Sequence, residues 1–248
     1  MARSWIASTT MWLMASTAAS AELDHPTVVD FPLRGEWTVE RTPAHRLPSH
    51  GTDVLGMRYA YDFIRTDERA GSHVHPAGTL RWLLVGGRTR DCYGWGEPVH
   101  AAAAGDVVEA VDGVAERPWI HVARESWAAL MTALTYRNSQ ASFDPRRLAG
   151  NHVIVRSAGA FALYAHLVPG SVAVSPGQRI AAGDVIGRVG HTGNSTAPHL
   201  HFQLMDSADA VQARGIPCAF SAYEVRRGDG WEPVHDGIPQ RLDRVRGA

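Results

Sequence analysis

The chain has 248 residues, 45% of them hydrophobic, enough to bury a full core in one large domain with an insertion or terminal extensions. Lys and Arg number 24 against 25 Asp and Glu, and no long run of one sign occurs, so the charge pattern does not fit a nucleic-acid binder or a protein held on an anionic membrane. Two cysteines without a C-x-x-C pair exclude a zinc ribbon and a thioredoxin-type redox site, while 13 histidines favour metal binding through nitrogen and oxygen.

In chain order, residues 1–21 hold Arg3, a short apolar stretch at Met11-Trp12-Leu13-Met14, and Ala19-Ser20-Ala21 as a candidate cleavage site. Two readings stay open there, a secretory signal and a disordered tail. A real signal would place the protein outside the cell or in the envelope; otherwise it is cytoplasmic. No other segment is long and apolar enough to span a bilayer. Residues 22–46 read as an extended lead-in, and a main domain is expected over residues 47–235. Met57 to Ile64, rich in aromatics, predicts a buried strand.

A repeat follows. Val99 to Val111 and Val174 to Val189 each carry Gly-Asp-Val-(Val/Ile), at Gly105 and at Gly183, which predicts a turn between short strands. Two copies of one hairpin unit predict an all-β, mainly antiparallel body of stacked sheets, sandwich-like, built on a duplicated hairpin. Between residues 112 and 150 the strand pattern stops. There Trp127, Leu130, Met131 and Leu134 fall at helical spacing, predicting an insertion with one short helix whose apolar stripe docks on the sheet. Gly150 to Val155 and Phe161 to Leu167 resume the strands. Residues 236–248 are polar and expected to fray.

Chemistry concentrates near the C-terminal end. In Pro198-His199-Leu200-His201-Phe202, strand alternation sends both imidazoles to one face and Leu200 and Phe202 to the other. Asp62 lies in an apolar strand, where an unpaired carboxylate is costly, so it needs a cation; an arginine is the alternative to a metal.

Tyr164-Ala165-His166-Leu167, the stretch from Val174 to Gly187 and Gly193 to Phe202 together resemble the lysostaphin/LytM-type zinc metallopeptidases, over roughly residues 50–204. The resemblance implies an antiparallel β core with the duplicated hybrid motif and cleavage of peptide bonds in bacterial cell-wall peptidoglycan. It further implies one zinc ion held by an upstream His, an Asp and the second His of His-x-His, here His50, Asp62 and His201. Eleven residues separate His50 from Asp62, more than the family's usual spacing. The rival first ligands are His73 and His75. Two histidines and one carboxylate leave a fourth position for water, as a catalytic zinc requires. The resemblance gives proton transfer and charge stabilisation to His166 and His199. No His-Glu-x-x-His motif is present to supply a glutamate base.

The expected activity is therefore a zinc metalloendopeptidase with a peptidoglycan peptide as its partner. Two alternatives stand against it. A non-catalytic LytM-like regulator of cell-wall hydrolases typically lacks ligands or histidines that are retained here. A carrier domain needs a modifiable Lys at a hairpin tip or histidines that work without metal. His100, His121, His152, His191 and His235 receive no role, and Cys92 and Cys218 are open to a disulfide or to two buried thiols.

Overall fold

The computed structural model describes residues 23–67, 73–138 and 144–247; the expectation for residues 1–21 lies outside them. The expected all-β class is the one found. A twelve-stranded sheet carries the site, and its strands are β1 (Thr27–Val29), β2 (Gly35–Arg41), β3 (Tyr61–Ile64), β6 (Gly105–Val111), β8 (Asn151–Ser157), β9 (Ala160–Leu167), β10 (Arg179–Ile180), β12 (His199–Met205), β13 (Gly215–Ile216), β14 (Cys218–Arg227), β15 (Gly230–Gly237) and β16 (Arg244–Gly247). The main path runs β1-β14-β16-β2-β3-β12-β9-β8-β6-β10, with β13 beside β12 and β15 beside β14. Only the β1–β14 pairing is parallel among these strands. Two small sheets pair β5 (Pro98–His100) with β11 (Val185–Arg188) and β4 (Gly87–Arg88) with β7 (Trp119–Ile120).

The alternation expected of the aromatic strand is met. Tyr61 and Phe63 point into the core with no exposure, joined there by Trp37, Tyr164, Leu200, Phe202 and Phe220. Tyr61 and Phe63 stack with ring centroids 5.8 Å apart, and Phe220 meets both edge-on. Polar tips are tied: the Tyr61 hydroxyl donates to Cys218 O, and Ala102 N donates to the Tyr164 hydroxyl. Both cysteines are free and buried, and burial pushes each thiol up to about 12.

The duplicated unit is present, yet its copies do not fold back on themselves as separate hairpins. They interlock: β5 pairs with β11 and β6 with β10, so each copy satisfies the backbone of the other. The two Gly-Asp positions also differ. Gly183 sits at φ +85, the turn conformation expected, whereas a Cβ on Gly105 would lie 2.2 Å from Arg156 O, so that glycine allows a close strand approach.

Three expectations are corrected. The lead-in is not merely extended, because β2 lies inside the sheet between β16 and β3. The tail does not fray: Arg244–Gly247 bridge β14 and β2, and Val245 is fully buried. Helical structure occurs before the insertion as well as within it. Helix α1 (Thr79–Leu84) precedes it, and α2 (Val122–Asn138) and α3 (Arg146–Ala149) belong to it. The stripe on α2 does not dock on the sheet; Trp127 is 64% exposed, and Leu130, Met131 and Leu134 are exposed too. Among the described side chains of α2, the buried one is Glu125, so the helix is anchored by a carboxylate.

Candidate functional site

The site forms where β12 runs between β3 and β9. In the antiparallel register His201 stands opposite Asp62 on one side and Ala165 on the other, with His199 opposite Ile64. Alternation that sends Leu200 and Phe202 inward therefore brings His199, His201 and Asp62 to the same face. His166 follows Ala165 on β9 with φ +67, a left-handed backbone in a non-glycine residue. It lies beside an irregularity in the β8–β9 register between Asn151 and Val153. The local departure from regular strand geometry turns its ring toward the other two, with centroids 4.6 Å from His199 and 5.8 Å from His201. His50 arrives from the loop before Val54–Tyr59, a segment of 3-10 turns, held by Ser49 N donating to Arg58 O. Its ring meets that of His201 edge-on at 4.9 Å.

His50, Asp62 and His201 each offer one ligand atom, and these atoms lie within 4.8 Å of one another. His50 Nε2 is 2.9 Å from Asp62 Oδ2, and His201 Nδ1 is 2.9 Å from Asp62 Oδ1. Outer bonds fix which nitrogen of each ring faces the carboxylate. Ser49 Oγ donates to Met57 O and accepts from His50 Nδ1, while Gln203 Nε2 donates to Leu55 O and its Oε1 accepts from His201 Nε2. In those tautomers His50 Nε2 and His201 Nδ1 are unprotonated and converge with a carboxylate, an arrangement of lone pairs that calls for a cation. Two imidazoles and one carboxylate form a nitrogen and oxygen donor set that fits zinc.

The rival first ligands lie apart from this cluster. His75 stacks on Trp82 at 4.9 Å, with its Nδ1 accepting from Ala77 N, and His73 Nε2 is 3.2 Å from Thr79 Oγ1. The arginine alternative for Asp62 is present in addition: Arg41 Nε approaches Oδ2 at 3.4 Å. Burial opposes ionisation of Asp62, yet in their protonated forms His50, His199 and His201 hold its carboxyl well below the usual range. Burial pushes His50 and His166 down, His166 strongly because His199 and His201 also crowd it. For His199 burial acts downward too, but Asp62 outweighs it and raises the ring.

His166 and His199 present the same orientation. His166 Nδ1 donates to Thr192 O at 2.9 Å, and His199 Nδ1 donates to Ala197 O at 2.7 Å with Ser195 Oγ at 3.1 Å. Each Nδ1 is thus occupied, and His199 Nε2 lies 3.5 Å from Asp62 Oδ1. All five side chains border a cleft of about 950 Å³, whose lining also includes Thr52, Leu55, Leu148 and Ala149. Among the described residues of the insertion, Asp144, Pro145, Arg146, Leu148 and Ala149 line the cleft. Sequence reasoning missed Ser49, Gln203, Thr192 and Ser195, which are outer partners recognisable only through their contacts. It also left His191 without a role, although that ring is fully buried and bonded to Ser195 Oγ at 2.9 Å.

Residues 93–213 match the model of Peptidase family M23. That span contains His166, His199 and His201, whereas His50 and Asp62 precede it. The peptidoglycan DD-endopeptidase ShyA of Vibrio cholerae is 37% identical over 76 residues, 29% of this chain and 17% of that protein. The glycyl-glycine endopeptidase ALE-1 of Staphylococcus capitis is 53% identical over 57 residues, 23% of this chain and 15% of that protein. The chain therefore spans about a sixth of the length of these curated relatives. Among solved structures, the catalytic domain of the antimicrobial peptidase lysostaphin from Staphylococcus simulans is 21% identical, with 76% of this chain and 88% of that chain covered and a TM-score of 0.35.

Proposed function

This chain belongs to the lysostaphin/LytM type of peptidase family M23, and from that premise we propose that it is a zinc metalloendopeptidase that hydrolyses peptide bonds in bacterial cell-wall peptidoglycan. The observation that carries the reading is the convergence of His50, Asp62 and His201 beside two further imidazoles on the floor of one cleft. His50 Nε2, a carboxylate oxygen of Asp62 and His201 Nδ1 would hold the ion, with Ser49 and Gln203 fixing the rings. When bound there, zinc supplies a Lewis acid and lowers the pKa of water to about 7.

The chain's own histidines do the rest. His166 and His199 each hold one nitrogen to backbone carbonyl oxygen and leave Nε2 to accept or donate a proton, one serving the attacking water and the other the departing amine. When protonated, either ring donates a hydrogen bond to the oxygen on which negative charge develops. Leu55, Leu148 and Ala149 add apolar surface to the lining of the cleft that holds these groups. Peptidoglycan as substrate fits a secreted or envelope location. Among the described residues no helix is long and apolar enough to cross a membrane.

The test is digestion of purified peptidoglycan by the zinc-loaded chain, with and without chelator, followed by mass analysis of the fragments. Chelator-sensitive release of peptide-cleaved fragments supports the proposal and identifies the bond. A zinc-loaded chain that releases none would contradict it and leave the regulator alternative.

A further inference from the structure

One loop, residues 191–197, orients both free histidines, since Thr192 O takes the Nδ1 proton of His166 and Ala197 O that of His199. That loop is held from outside the catalytic sheet. Arg117, in the insertion, donates from Nη1 to Gly193 O at 3.0 Å, from Nη2 to Ser195 O at 2.9 Å, and from Nη2 to His191 Nε2 at 3.1 Å. Its neighbour Glu116 accepts from His191 N at 2.6 Å. Because Nε2 of His191 accepts, its proton sits on Nδ1 and is donated to Ser195 Oγ, which donates in turn to Ala197 O. Arg117 Nε is in turn fixed by Glu125 Oε2 at 2.8 Å, and Glu125 is 1% exposed, the buried one among the described side chains of α2. A planar guanidinium can serve all these acceptors at once, and a lysine cannot.

We propose that Arg117 is a positioning residue for His166 and His199, acting through the 191–197 loop, with Glu125 keeping its fork aimed. Neither residue touches the cleft. The proposal deepens the peptidase reading and rests on it for its kinetic consequence, because an error of about 1 Å in a reacting group costs on the order of 100-fold in rate.

The test compares zinc-loaded wild type with Arg117→Lys and Arg117→Ala on peptidoglycan. Arg117→Lys keeps a cation beside Glu125, so its melting temperature and zinc content should stay near wild type and KM within about threefold, while kcat falls about 10- to 100-fold. Guanidinium ion added to Arg117→Ala should restore part of the lost kcat. Both variants turning over within twofold of wild type would overturn the proposal, as would a loss of zinc or of melting temperature in step with kcat. Should Arg117→Ala fail to fold, Arg117→Lys decides alone. If wild type itself cleaves nothing, the peptidase reading fails separately, and the brace is read from imidazole nitrogen resonances. The Nδ1 signals of His166 and His199 should move in Arg117→Lys, and unchanged signals would overturn it.

Discussion

Asp62 stands directly across the β3–β12 pair from His201, its Oδ1 2.9 Å from His201 Nδ1. The strand that aims the carboxylate is thus the hydrogen-bonded neighbour of the strand that aims the imidazole, and a change of register by one residue would turn either away. Asp62→Asn and His201→Ala should therefore lose zinc retention and activity together. His166→Ala should keep the metal and lose turnover by roughly 100- to 10,000-fold. Elemental analysis beside a digestion assay separates the two outcomes, and full activity in His166→Ala would remove that residue from the mechanism.

The bonds behind the ligands carry a second prediction. Gln203 is buried and spans His201 Nε2 and Leu55 O, so Gln203→Leu frees the ring and orphans a buried carbonyl. Zinc affinity should fall about 10- to 100-fold, measured by competition with a chromophoric chelator. Ser49→Ala, which removes the acceptor for His50 Nδ1, should act in the same direction. Unaltered affinity in both would mean that the outer bonds do not orient the rings.

The left-handed backbone at His166 can be tested by stability. At φ +67 a β-branched residue is strained, whereas Asn adopts that region readily. His166→Val should be less stable than His166→Asn by about 1–2 kcal/mol in urea unfolding, although both lose the ring. Equal stabilities would contradict the conformation assigned to this position.

Much of this arrangement was legible in the sequence because it follows from alternation. His199 and His201 share a face for the same reason that Leu200 and Phe202 share the other, and an aspartate between Tyr61 and Phe63 had to point away from the core. His50 was read through resemblance, against His73 and His75, and the loop from Gly51 to Ala60 was long enough to make its return a tertiary fact. Ser195, Thr192, Gln203 and Arg117 act through hydrogen bonds to residues distant in sequence or to backbone carbonyls, which leave no periodic signature. The helical spacing of Trp127, Leu130, Met131 and Leu134 corresponds to the helix Val122–Asn138. Its docking was misread because periodicity identifies an apolar face without saying what covers it, and here the anchor is Glu125.

Acid stability should register that anchor. Burial opposes ionisation of Glu125, but the hydrogen bonds and charges of its neighbours, the Arg124 and Arg117 guanidiniums among them, outweigh it and bring the carboxyl from 4.5 down to about 2. The unfolded chain therefore binds the proton first, so this group stabilises the fold above pH 4.5 and its contribution is lost as pH falls toward 2. Glu125→Gln should flatten the stability of the metal-free protein across that window, by up to about 3 kcal/mol in chemical denaturation. Parallel curves for wild type and variant would show that the carboxylate is not held as described.

The central claim is that His50, Asp62 and His201 grip one divalent ion. X-ray absorption at the zinc edge on the purified, zinc-loaded chain reads this most directly. The account predicts one ion per chain with nitrogen and oxygen neighbours at about 2.0–2.2 Å, two of them imidazole, and loss of that signal in Asp62→Asn. An ion that persists in Asp62→Asn, or a chain that retains none, would contradict it.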